Sequence, residues 1–318
     1  MNASSETKPA LALTQPIGWQ SALLALLVCA LRGAHLVSLK FALSALAPFW
    51  TAFLRMLIGM AAIGAWAKLT RAPLMPAREQ WAILARLSAL MFVQVGFVHF
   101  GADLTSPAYS SVLLNSNPLF TNLIAHFVVA DDRLTWTRTA GLTLAFSGIC
   151  GVFLGQPEPR LASSPALGNF IIVTAAMAMS IRTVYTQRAV QSLPPIQAVF
   201  WQMVFLAPCY FLGALVTPPG ERDPISWTPV LAILYQGVAV NGVTFLVWTT
   251  LLRKHAPGSL TMFSFTVPIF GVLLSALLFS ETVSVRLIYG MAAVTLGIAL
   301  AHRHGVMRSV AAWANRDS

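Results

Sequence analysis

Shifted by 150 residues, the chain falls into register with itself: Gly18 lands on Gly168, Arg32 on Arg182, Pro107 on Pro257, Pro118 on Pro268 and Asp131 on Glu281. Pro118 and Pro268 each precede their acidic residue by 13 positions. Such a register marks a duplicated structural unit. If the unit holds an odd number of membrane-crossing helices, the second copy must enter the bilayer from the opposite face. Inverted repeats of that kind place a site between them near the bilayer midplane, as in secondary transporters.

Composition agrees with a membrane chain. Hydrophobic residues make up 57% and charged residues 9% of the 318 positions, where a soluble protein carries about 25% charged residues. The net charge of +10 does not indicate nucleic acid. Lys and Arg punctuate apolar runs here instead of clustering on a solvated face. Cys29, Cys150 and Cys209 stand singly in apolar stretches, a pattern of packing side chains with no metal or disulfide spacing. No cofactor is implied.

A crossing needs about 20 mostly apolar residues. Ten such stretches are predicted, near 18–43, 48–67, 81–101, 107–129, 137–154, 168–190, 195–216, 228–251, 257–279 and 284–302. The expected fold is therefore an all-α membrane protein of ten transmembrane helices in two inverted five-helix repeats. The expected units are a tail over 1–16, repeats over 17–155 and 156–302, and a tail over 303–318. Twelve basic residues fall on the side of the termini and four, Lys40, Arg160, Arg222 and Arg286, on the other. The positive-inside rule then puts both termini in the cytoplasm.

Ten spans in two repeats, with a proline in the fourth span of each and an acidic residue at its end, resemble the drug/metabolite transporter superfamily, specifically its EamA-type exporters. The residues that carry the likeness are Ser106-Pro107-Ala108, Asn117-Pro118-Leu119-Phe120 and Asp131-Asp132-Arg133-Leu134-Thr135, repeated as Ala256-Pro257-Gly258, Val267-Pro268-Ile269-Phe270 and Ser280-Glu281-Thr282-Val283-Ser284. Lys40 and Arg55 fall where the family often has basic residues. Arg32-Gly33 replaces its frequent Trp-Gly, and an Asp pair stands for its first-repeat Glu. The resemblance implies export of small metabolites, often amino acids, across a bacterial cytoplasmic membrane, from a cavity lined by both repeats. The expected partners are a small-molecule substrate and the lipid bilayer.

Arg32 and Arg182 are the leading site candidates, because a mid-bilayer charge costs at least ~2.5–3.5 kcal/mol and no mid-span carboxylate is available to neutralise it. Two roles are open: a structural pairing to backbone carbonyls, or a cavity-facing clamp for a carboxylate. Helical spacing puts His35 on the face of Arg32 and Tyr185 on that of Arg182. Asn115 and Asn117 flank Pro118, whereas their register mates Phe265 and Val267 are apolar. That asymmetry suits either a substrate contact or a helix–helix hydrogen bond. Tyr109, Gln94, Gln236, Asn241 and Trp248 add polar or aromatic surface. Pro118 and Pro268 are expected to kink their helices, for shape alone or for gating. Gly290 and Gly297 suit close helix packing or a homodimer seam.

The competing reading is an integral membrane enzyme acting on a lipid-linked substrate. Against it, the sequence has no paired membrane carboxylates, metal-ligand cluster, nucleophile elbow or phosphate loop. A membrane scaffold without transport is a third reading, which buried arginines disfavour.

Overall fold

The computed structural model describes residues 17–128, 136–218, 220, 222–255, 260 and 263–301. The chain is helical in this order: α1 (Trp19–Ala45), α2 (Pro48–Thr70), α3 (Trp81–Leu104), α4 (Pro107–Leu114), α5 (Asn117–Val128), α6 (Trp136–Phe153), α7 (Pro165–Ala189), α8 (Pro195–Val216), α9 (Trp227–Tyr235), a π-helical stretch (Gln236–Thr244), α10 (Phe245–Lys254), α11 (Thr266–Phe279) and α12 (Val285–Ala301). Six of the crossings are single long apolar stretches. The others use the pair α4–α5 and the shorter α6, α11 and α12. Helices α2, α4, α7 and α8 each open on a proline, whose missing N–H is no loss in a first turn.

Packing follows a two-fold exchange of the repeats. The fifth span, α6, lies along the tenth, α12, and the second, α2, along the seventh, α8. The third, α3, packs on the sixth, α7, and its counterpart is α1 against α9 and the π stretch. Likewise α1 on α11 answers α4 and α5 on α7. Two apolar cores flank the centre. One joins α4, α5, α6, α11 and α12 around Tyr109, Ile149 and Val294. The other joins α2, α3 and α8 around Met56, Met91 and Tyr210.

The α6–α12 contact depends on glycine. A Cβ at Gly290 would press on Val152 and stand 3.0 Å from the Gly148 carbonyl oxygen. A Cβ at Gly148 would stand 2.7 Å from the Gly290 carbonyl oxygen. Gly290 and Gly297 thus face α6 of their own chain. Overpacking a closed core costs about 1–3 kcal/mol. Gly290→Val is therefore expected to lower the thermal midpoint of the purified protein, measured by fluorescence-detected gel filtration after heating. An unchanged midpoint would show that this helix pair can separate without cost.

The fourth span departs from expectation. It is not one kinked helix. It breaks at Asn115 and Ser116, and Pro118 stands in the first turn of α5. Proline has no N–H to bond the turn before it. Ser116 Oγ instead donates to the Leu113 carbonyl at 2.6 Å. Pro268 is placed alike, near the start of α11 after a 3₁₀ turn over Phe263–Phe265. Asp131, Asp132, Pro257 and both tails lie outside the described residues. Glu281 caps a helix of the opposite repeat: its Oε2 accepts from Ala108 N at 3.4 Å, in the first turn of α4, and from Ser275 Oγ at 2.5 Å.

Candidate functional site: a cationic cavity between the repeats

Three arginines from three helices reach the centre. Arg32 sits halfway along α1, Arg55 in the second turn of α2, and Arg182 in the last third of α7. A cavity of about 70 Å³ is lined by Arg32, Arg55, His35, Gln94, Asn115 and Asn117. A second, of about 30 Å³, is lined by Arg32, Arg182, Thr183, Trp248 and Thr249. The two share Arg32, Met179 and Phe245. With these three residues as common walls the two cavities lie side by side, and together they mark a path from the centre toward the ends of α7 and α10. At ~30 Å³ per water the path holds only a few waters, so substrate entry requires the helices to part.

The guanidinium groups face rings and amides. Arg32 lies 5.2 Å from the centroid of the Trp248 ring, and Arg182 lies 4.8 Å from that of Phe245. Such contacts contribute about 0.5–2 kcal/mol, less than the cost of an unpaired buried charge. Arg55 donates from Nη2 to Asn241 Oδ1 at 2.5 Å, and Asn241 Nδ2 donates back to the Arg55 carbonyl at 3.2 Å. The Nε atoms of Arg55 and Arg182 have no partner, nor do Asn115 Nδ2 and Gln94 Oε1, all of them buried. Arginine cannot shed its proton in a protein. No carboxylate is among the residues that line either cavity.

The π stretch fixes this geometry. A wider turn is unfavourable in an ordinary helix and recurs at functional sites. Here it carries both Gln236 and Asn241. Gln236 bridges to α1: its Oε1 meets His35 Nδ1 at 2.7 Å, and its Nε2 donates to the His35 carbonyl at 2.6 Å and to Ser38 Oγ at 2.5 Å. Gln236 and Asn241 are fully buried and line neither cavity; they hold His35 and Arg55, which do. Asn117 aims its Nδ2 at Met179 Sδ, 3.5 Å away. Trp248 belongs to the cavity and not to an interfacial belt.

Like Gln236 and Asn241, two more of the expected cavity residues line neither cavity. Tyr185 packs with Leu84, Leu87 and Leu193 in a cluster between α3, α7 and α8. One helical face is wide enough to hold Arg182 in the cavity and Tyr185 on a neighbouring helix. Tyr109 is buried at the far end of α4, with its hydroxyl 3.4 Å from Ser284 Oγ. Its ring closes on Gly155, where a Cβ would come within 2.9 Å of it. Gln94, expected as polar span surface, lines the cavity, as do Met179 and Phe245, which nothing in the sequence marked, and Arg55, marked there only as a basic position of the family. Arg55 carried a visible signal, a charge inside a span, but its register mate Phe205 is apolar, so repeat symmetry did not highlight it.

The sequence profile of the EamA-like transporter family matches residues 19–154 and 166–303, nearly the whole chain in two copies. The chain belongs to this family. It is 21% identical over 263 residues to the uncharacterized transporter YoaV of Bacillus subtilis, covering 82% of this chain and 89% of that one. It is 25% identical over 268 residues to a protein of Escherichia coli named "Probable amino-acid metabolite efflux pump", covering 81% and 86%. A crystal structure at 21% identity superposes with a TM-score of 0.67 over 89% of this chain and 97% of that one, which supports the same fold. As an EamA-like transporter, the chain is a multi-pass integral membrane protein and not an enzyme.

This EamA-like transporter closes the end of the cavity nearest the joint between its repeats. Arg222, in the loop before α9, forms a two-point ion pair with Asp103 at the end of α3, at 2.7 and 2.9 Å. It also donates to the Leu43 carbonyl of α1 at 2.7 Å. The hydrogen bond to Asp103 raises the Arg222 pKa. Lys40 Nζ donates to the carbonyls of Ala102, Asp103 and Thr105 at 3.0 Å each. Phe41 stacks on Phe279, centroids 4.3 Å apart, and Arg160 ties the joint to the Phe279 and Ser280 carbonyls. These contacts link α1, α3, α11 and the loops of both repeats at one end of the path.

Proposed function

We propose that this EamA-like transporter is a secondary carrier that exports or exchanges a small, carboxylate-bearing, amino-acid-like metabolite by alternating access at the central cavity. The observation that carries this reading is the convergence of Arg32, Arg55 and Arg182 on a path with no carboxylate in its lining. A guanidinium fork matches a carboxylate in shape and charge, and a bound anion offsets the cost of the buried cations. The name of the Escherichia coli relative supports export of amino-acid metabolites. In this proposal Arg32 is the anion anchor and Arg182 its partner toward the α7 end. Asn115 and Asn117 orient the substrate, and Trp248 covers it. His35, Gln236 and Asn241 hold the arginines in place, Tyr109 and Tyr185 support the frame, and Pro118 and Pro268 mark the breaks about which spans bend. The repeats, 17–155 and 156–302, rock against each other.

Purified protein in liposomes, offered a labelled panel of amino acids and their deaminated and acylated derivatives, tests the proposal. Uptake of an unchanged carboxylate supports it. Release of a chemically altered product, or uptake of uncharged and cationic compounds only, contradicts it.

Orientation belongs to the same proposal: both termini in the cytoplasm of a bacterial inner membrane. Single cysteines at Ser5, Ser163 and Ser309 are the probe. Only the Ser163 position is expected to react with an impermeant thiol reagent outside intact cells. Labelling of Ser5 or Ser309 from outside would reverse the topology.

Coupling follows from the missing carboxylates. Proton-coupled carriers pass protons through intramembrane Asp, Glu or His. His35 and His99 are the internal candidates among the described side chains, and the side chain of His126 lies outside them. Flux is expected to persist when the pH gradient is collapsed, or to depend on one of these histidines. Flux that needs the gradient and survives substitution of all three would overturn this.

A further inference from the structure

The charge of the cavity goes further than a monocarboxylate requires. Three guanidinium groups border the path, and their charged partners in its lining are none. Arg55 has a neutral amide, Asn241. Arg32 and Arg182 have aromatic rings. One carboxylate leaves two of the three charges without an opposite charge, and an amino acid brings an ammonium group for which the lining has no carboxylate, only neutral acceptors such as the unpartnered Gln94 Oε1, beside three like charges. The helix ends at the Asn115–Ser116 break do not change this balance. The C-terminus of α4 and the N-terminus of α5 meet there with partial charges of opposite sign.

The arrangement is also bipolar. Arg55, Gln94 and Asn115 form one polar end of the path, and Arg182 with Thr183 forms the other. Met179 and Phe245 lie between them, with Arg32 common to both ends. Each end keeps a buried donor without a partner, Arg55 Nε and Asn115 Nδ2 at one and Arg182 Nε at the other. Donors left unpaired in a buried site are costly until a ligand accepts from them.

We infer that the substrate is an organic dianion without an ammonium group, held with one anionic end between Arg55 and Arg32, the other between Arg32 and Arg182, and an apolar spacer along Met179 and Phe245. This rests on the carrier reading above, keeps its carboxylate, and puts a second anionic group in place of the ammonium of an amino acid. A phosphorylated or dicarboxylic metabolite has this chemistry, whereas a free amino acid does not.

The test uses the full chain in liposomes and ligands matched in shape. Uptake of labelled glutarate, adipate and suberate is compared with that of pentanoate, which lacks the second carboxylate, and L-glutamate, which adds an ammonium group to glutarate. At least one dicarboxylate is expected to half-saturate at a concentration about tenfold or more below both controls, since a charge-assisted contact is realised at each end. Arg55→Gln and Arg182→Gln are each expected to bring that dicarboxylate to within a few-fold of pentanoate. Arg55→Lys and Arg182→Lys, which keep the charge, retain part of the preference and guard against simple misfolding. Pentanoate or glutamate equalling every dicarboxylate, with uptake still dependent on Arg32, would overturn the dianion while leaving the carboxylate carrier standing. If none of the five is taken up while another monocarboxylate of the wider panel is, the dianion fails and the carrier stands; if no carboxylate of either set is taken up, both fail.

Discussion

Replacing Arg32 with glutamine is expected to weaken substrate affinity by about ten- to a hundredfold in protein that remains folded. A hydrogen bond to a charged group contributes roughly 1.5–3 kcal/mol, and 1.4 kcal/mol is a decade in affinity. Arg32 is the arginine common to both parts of the path, so its loss reaches a ligand in either part. Lysine keeps the charge but not the planar fork and is expected to rescue only part of the loss. Trp248 provides a control, because Trp248→Phe keeps a ring beside Arg32 and should cost only a few-fold. Binding is read by equilibrium dialysis of labelled substrate with the purified variants. Unchanged affinity in both Arg32→Gln and Arg182→Gln would make the arginines structural.

The second large effect is expected at the Asp103–Arg222 pair, which joins residues 119 apart in sequence at the closed end of the path. Two charge-assisted hydrogen bonds hold α3 to the loop before α9, with side chains only 23% and 22% exposed. Alternating access requires this end to open in one half of the cycle. Asp103→Ala removes the acceptor and leaves Arg222 with the Leu43 carbonyl. The population open at this end should rise by about tenfold or more, from the same ~1.5–3 kcal/mol per charged contact. A cysteine introduced at Ser38, below the Phe41–Phe279 stack, should then react faster with an impermeant reagent applied from that side. The exchange Asp103→Arg with Arg222→Asp should return the slow rate. If labelling is the same in Asp103→Ala, the pair is not part of the gate.

Much of the frame was legible in the chain before any coordinates. Ten spans follow from hydropathy because the bilayer forces every backbone group into helical hydrogen bonds, and the described helices keep within a few residues of the expected bounds except at the start of α11. The duplication was legible because Arg32 and Arg182, and Pro118 and Pro268, recur at a fixed offset. Local breaks were less so. A proline four residues past Leu114 signals a disturbed turn, but whether the helix bends or stops depends on Ser116 capping it, which spacing does not encode. The π stretch leaves no sequence signature of its own. It exists because α1 and α2 hold Gln236 and Asn241 from two sides.

At the candidate site, residue type was more legible than direction. Arg32 lies in the cavity because the energetic cost of its charge leaves it few alternatives, whereas Tyr185 is content among leucines. Gln236 and Asn241 were expected to border the substrate and instead brace His35 and Arg55. Arg55 and the Asp103–Arg222 pair were hidden for a related reason. They break the two-fold symmetry, and a search guided by the repeat looks for residues that obey it.

Trans-acceleration tests the central claim most directly. A carrier with one central site that faces the two sides in turn returns faster when loaded. Liposomes holding purified protein and preloaded with unlabelled substrate should therefore take up the same labelled compound several-fold faster than empty ones. The label should be recovered chemically unchanged, and the stimulation should be lost in Arg32→Gln. Uptake at the same rate from empty and preloaded liposomes, unaffected by loss of Arg32, would contradict a single arginine-centred site serving both faces of the membrane.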